Sequence, residues 1–219
     1  MRLGHAFCSS LYAMQGSFYS KILLLVLTLF FASCQSAKQE PWDNSNIRWY
    51  SLPATFYVSK SLATNDKAMQ DIQSAVDFWN EKAGKTVLKN LGPWDSDNNI
   101  YDGAIESPKS INANVLFTPG EWPMSSEIAG KTIMIKSSGY FKSAMIAINS
   151  SKSYCYGICD KAEEQNATSF RKLMAHELGH FLGLSHVNDP QNLLNPVLSP
   201  GGDISSTHID ENAFSKLTQ

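Results

Sequence analysis

Charge is scarce in this chain. Only 17% of its 219 residues are Asp, Glu, Lys or Arg, and the net charge is −2. With no basic run, the sequence has no electrostatic footing for nucleic acid. A Gly-rich phosphate loop is missing, and so is any internal repeat. No apolar run reaches the roughly 20 residues that a membrane span requires. Histidine and cysteine are both few, five and four residues respectively. An apolar content of 43% is nevertheless in the globular range. The length suits one full core and is too short for two ordinary domains.

The scarce residues are not scattered. Three of the five histidines fall in "AHELGHFLGLSH", at His176, His180 and His186, and Glu177 directly follows the first. On a helix, residues four apart share a face. His176 and His180 can therefore offer two imidazole nitrogens to one ion at about 2.0–2.1 Å. Glu177 is rotated by about 100° from His176, so it reaches a water on the ion rather than the ion itself. That is the logic of H-E-x-x-H. Gly183 tolerates positive φ and can break the helix, which folds His186 back to the open side. Three neutral imidazoles leave a fourth position, the mark of a catalytic zinc site. One zinc ion is the cofactor this pattern requires.

The cysteines divide between two places. "KILLLVLTLFFASC", from Lys21 to Cys34, has a positive charge, an apolar run of about ten residues and then small residues, as secretory signals do. Phe31-Ala32-Ser33-Cys34 resembles a bacterial lipobox, in which the signal is cut before a cysteine that receives a lipid. This implies a signal peptide over 1–33, lipidation at Cys34 and export to the cell envelope. Gln35 in place of Asp favours the outer membrane. An ordinary signal peptide and an uncut anchor are the alternatives. Met14 is a more natural start than Met1 for such a signal. Cys155 and Cys159, in "YCYGICD", are candidates for a small loop disulfide in an oxidising compartment, or else two free thiols.

Residues 34–46 are polar and read as a tether, which leaves 47–219 as the domain. A strand is expected over 54–60. Met69, Ile72, Val76, Trp79 and Ala83 recur at steps of three and four, so 66–83 is a helix. Thr64 or Asn65 caps its start and Gly84 its end. A short strand over 86–91 follows. Residues 93–110 are rich in turn formers and read as a loop. Their acidic residues are candidate calcium ligands, although their order does not match an EF-hand. "NANVLFT", "KTIMIKS" and "SAMIAINS" are three further strands, the last two joined through Gly139. A second main helix is expected over 166–183, capped by Thr168 or Ser169, and a last one in "DENAFSKLTQ". This element order gives an α+β domain.

The extended motif resembles the metzincin metallopeptidases, whose signature is H-E-x-x-H-x-x-G-x-x-H, and the chain looks most like the matrixin branch. "IRW" with its strand and the "AMQDIQSAVDFWN" helix are similar to the matrixin amino-terminal half. In that branch a methionine stands eight residues past the third histidine and a proline two later. Here those positions are Leu194 and Pro196, in "NLLNP", so the spacing holds and the methionine is replaced. Leu for Met nearly conserves volume, a swap that usually costs under about 1.5 kcal/mol. The resemblance implies a twisted mixed sheet with a backing helix, a zinc-site helix and a small C-terminal subdomain. It also implies a monomeric endopeptidase acting on protein or peptide, with Glu177 as general base. The substrate would pair with an edge strand, either 132–138 or 144–150, and "VLSPGGDISS" would shape the pocket for the side chain after the cut bond. A catalytically silent binding lipoprotein and a non-peptide zinc hydrolase are the competing readings.

Overall fold

The backing helix follows from its apolar stripe. The computed structural model describes residues 47–95, 100–160, 167–199 and 202–218. The signal sequence, Cys34 and the tether lie outside them. In chain order the elements begin with β1 (Arg48–Trp49), β2 (Ala54–Val58), α1 (Lys60–Ala63) and α2 (Asp66–Ala83). Asn65 caps α2, its side chain accepting from the Ala68 amide at 3.1 Å. Gly84 ends it in the left-handed conformation at φ 63°. Ile72, Val76 and Trp79 are buried. The short α1, capped by Ser59, has no counterpart in the periodicity.

The remaining elements are β3 (Leu88–Pro93), β4 (Tyr101–Ala104), β5 (Ser107–Ile111), β6 (Val115–Phe117), β7 (Gly130–Ser137), β8 (Tyr140–Ile148), β9 (Tyr154–Cys155), β10 (Thr168–Ser169), α3 (Phe170–Leu182) and α4 (Glu211–Leu217). The main sheet runs β3-β2-β6-β8-β7, with β1 also paired to β8. All its pairings are parallel except β7 with β8. The fold is α+β, as expected.

Alternation along β6 and β8 gives the sheet two covered faces. Leu116, Ala144, Ile146 and Ile148 point into the helix-side core with Phe56, Trp79 and Phe181. Val115, Phe117, Met145 and Ala147 point into a second, smaller core with Ile100, Ile105 and Ile111.

Three expectations need correction. Part of 93–110 is not a loop, because β4 and β5 form an antiparallel hairpin with a register shift at Gly103. Burial of Ile100, Ile105 and Ile111 explains why it folds onto the sheet. The second main helix starts at Phe170 rather than at residue 166. Thr168 and Ser169 are extended and paired with Tyr154 and Cys155, and Ser169 caps by accepting from the Lys172 amide. The strand around 144–150 is not an edge either. β8 is flanked by β7 on one side and by β6 and β1 on the other, so β7 is the edge.

Candidate metal centre

Helix α3 is buried along almost its whole length. Its back is held by Trp79, whose indole N–H donates to the Ala175 carbonyl at 2.8 Å. Gly179 makes that approach feasible. A Cβ there would lie 2.8 Å from Trp79 Cζ2 and 3.1 Å from Leu194 Cδ1, closer than packed carbons tolerate. Gly183 ends the helix at φ 107°, and a Cβ there would meet Phe141 at 2.8 Å. The chain turns at Gly183 and brings His186 back to His176 and His180.

One ring nitrogen of each helical histidine is committed to the backbone. His176 Nδ1 lies 2.7 Å from the Leu193 carbonyl. His180 Nδ1 lies 2.7 Å from the Leu184 carbonyl. A carbonyl only accepts, so the Nδ1 atoms carry the protons and the Nε2 atoms present lone pairs. Those Nε2 atoms are 3.0 Å apart. In these tautomers neither can donate to the other, and the two lone pairs repel unless a cation joins them. A tetrahedral ion with bonds of about 2.0–2.1 Å spaces its donors by about 3.3 Å, close to what is seen. His186 completes the set, with the ligand atoms of all three residues within 4.8 Å of one another.

Electrostatics keep these ligands neutral. Burial pushes His176 and His186 down to about 4. His180 lies well below its ordinary value, chiefly from burial and then from neighbouring His176. The donor chemistry therefore fits zinc: three neutral imidazoles, two of them with Nδ1 protons anchored on carbonyls, and one tetrahedral position left over.

Glu177 is buried beside this set. Thr132 Oγ1 donates to its Oε2 at 2.6 Å. The same hydroxyl lies 3.0 Å from the Glu177 carbonyl, and its single proton goes to the closer, more basic carboxylate. Burial raises Glu177 to about 7, and the Thr132 hydrogen bond and Lys131 partly offset this. Gly130 leaves the carboxylate its space, since a Cβ would stand 2.8 Å from Oε1. Sequence reasoning missed both β7 residues. The available signal was Thr132 itself, a polar side chain on the same strand face as Met134.

Leu194 is buried against Gly179. Its turn is closed by Val187 N–H donating to the Leu194 carbonyl at 3.0 Å and by Leu193 N–H donating to the His208 carbonyl at 2.8 Å. His208 thus supports the turn through its backbone. Pro196 follows at the surface. Farther off, the Cys155 and Cys159 sulfurs are bonded at 2.05 Å, and the Cys159 carbonyl accepts from Gly202 N–H at 2.9 Å. Among the described residues no second cluster of three His, Cys, Asp or Glu side chains occurs; of the acidic residues considered in 93–110, Asp97 lies outside the described residues.

None of the curated proteins matches this chain. The matrixin family profile, by contrast, matches residues 41–218. That span holds the sheet, the backing helix and all three imidazoles, so the fold, the donor set and the profile agree: the chain belongs to the matrixin family of zinc metallopeptidases, and His176, His180 and His186 point to its catalytic zinc.

Proposed function

We propose that the protein is an exported, lipid-anchored zinc endopeptidase with Glu177 as its general base. The observation that carries this is the setting of Glu177. Its carboxylate is tied to Thr132 at 2.6 Å, next to an edge strand and one residue from a metal ligand. Zinc held by His176, His180 and His186 supplies Lewis acidity and lowers the pKa of water. Glu177 accepts the proton of the attacking water and delivers it to the leaving amine. The substrate lies extended and adds as a strand to β7, whose outer edge pairs with no other strand among the described residues. Leu194 and Pro196 occupy the Met-turn positions, and Leu194 floors the site in place of methionine.

Glu177→Ala keeps the three ligands and removes the base. General base catalysis contributes about 10²–10⁴-fold. Cleavage of denatured casein should therefore fall at least 100-fold while zinc content stays near one per chain. Wild type with full zinc that cuts nothing across a broad peptide library would point instead to a binding protein.

The lipobox-like run supports processing of 1–33 and attachment at Cys34, with 34–46 as tether to a bacterial envelope, the outer membrane where there is one. Cys34→Ser should move the protein out of the membrane fraction. Equal incorporation of labelled palmitate by that variant would exclude Cys34 as the lipid site.

A further inference from the structure

The disulfide joins the entry of the zinc helix to a segment far along the chain. Cys155 belongs to β9, whose partner β10 leads directly into α3. Cys159, four residues on, is bonded to Cys155 through sulfur, and its carbonyl accepts from the Gly202 amide at 2.9 Å. From Gly202 the chain passes through the 3-10 turn Ile204–Ser206 to Thr207. Ser206 and Thr207 line a cavity together with Lys172 of α3. The family resemblance assigns this stretch to the shaping of the substrate pocket.

The loop between the two sulfurs is itself docked. The Gly157 amide donates to both oxygens of Asp71, at 3.0 and 3.1 Å. Asp71 is buried on α2, and Arg171 Nε donates to it at 2.9 Å. Arg171 Nη1 also reaches Asp203, but at 3.5 Å, where a hydrogen bond is weak. The link from Cys159 to Gly202 is thus the shorter of these two ties to residues 202 and 203. Lys172 on Ser199 and the burial of Ile204 hold the segment elsewhere. Losing the Cys159 link would loosen the segment without detaching it.

A bond that closes so short a loop constrains the unfolded chain little. Its effect lies in where it places Cys159. Both cysteines are buried, so the closed bond is sheltered from attacking thiols. The open form belongs to a reducing compartment, in which a chain awaiting export is made.

We propose that the Cys155–Cys159 bond couples peptidase activity to export: with two thiols the segment 202–207 is loose and substrate binds poorly, and oxidation sets it in place. In the closing step one cysteine thiolate attacks the disulfide of a thiol oxidant and forms a mixed disulfide. The other cysteine thiolate displaces the remaining oxidant sulfur. Two electrons pass to the oxidant, which leaves as a dithiol with the two protons the cysteines gave up. The proposal rests on the exported-peptidase reading for its meaning, whereas its exchange measurement does not.

The test uses the full chain with Cys8→Ser and Cys34→Ser, so that only Cys155 and Cys159 can pair. It is refolded with zinc either in a phosphine reductant or in a glutathione disulfide buffer, and alkylation with intact mass counts the free thiols. Amide exchange read by mass spectrometry, metal analysis and peptide cleavage then compare the two forms. In the thiol form the amides of 202–207 should exchange about tenfold faster or more, while those of α3 and the zinc content stay as in the disulfide form. KM for a cleaved peptide should rise by a similar factor. Equal exchange over 202–207 overturns the proposal. So does faster exchange along α3 or loss of zinc, since the bond would then be a general staple, and so does a thiol form that does not fold. Cys155→Ala with Cys159→Ala should behave as the thiol form; if only that variant fails to fold, the thiol form decides. An exchange difference without cleavage by either form would sink the peptidase reading alone. Cleavage with equal KM in both forms would sink this proposal alone.

Discussion

His176 donates its Nδ1–H to the main-chain carbonyl of Leu193 across 2.7 Å. The partner is a backbone atom, so the tautomer of the first ligand is set by the course of the main chain. The next residue, Leu194, packs against Gly179 but contributes no polar atom to the ligands. The anchoring of His176 therefore does not depend on the identity of the side chain at position 194.

Thr132→Val should weaken catalysis without emptying the site. The substitution keeps the shape of the side chain and deletes the hydroxyl that orients Glu177 at 2.6 Å. Loss of such a supporting hydrogen bond typically costs about 10–100-fold. The drop should appear in kcat, with zinc content by metal analysis unchanged. An unaltered kcat would show that β7 does not position the base.

Gly179→Ala should destabilise the domain. The new methyl would meet Trp79 and Leu194 from two sides. Overpacking of this kind costs about 1–3 kcal/mol. Urea unfolding followed by tryptophan emission measures it, and a midpoint equal to wild type would mean that α2 and the turn give way freely.

The metal-free protein should lose stability on mild acidification. In the unfolded chain histidine titrates near 6.5, whereas burial holds His176 and His186 down to about 4 in the fold and His180 well below its ordinary value. Between those values the unfolded chain binds more protons at the three histidines, so stability falls as pH falls, and the opposite contribution of Glu177, which burial raises to about 7, offsets only part of this. Above about pH 6.5 all three are neutral in both states and the penalty is absent. Unfolding midpoints at pH 7.5, 6 and 5 in chelator should descend in that order. His186→Gln should flatten the descent, and an identical slope in that variant would assign it to other groups.

What could be read from the sequence was what is local. Helix α2 was legible because its stripe repeats within one element, and the donor set because residues 176–186 form one helix and its turn. Partners that arrive through tertiary folding were not. Thr132 is 45 residues from Glu177 along the chain, and no spacing rule joins them. Edge status is a property of the assembled sheet, which is why β7 and β8 could not be told apart as strands alone. The β4–β5 hairpin was hidden because its three isoleucines are diluted by turn-forming residues.

The mostly parallel sheet has a consequence for the order of assembly. Tyr57 of β2 pairs with Val115 of β6, and Val115 in turn with Met145 of β8. Closing such long loops is slow, because their entropy is lost before the contacts repay it. The three imidazoles need none of those closures, since they belong to one helix and the turn after it. An ion can therefore meet a rudimentary set of ligands while the sheet is still open. Any affinity for the unfinished chain subtracts from the stabilisation that binding confers on the finished one, so zinc should raise the unfolding free energy by less than its affinity for the native protein implies.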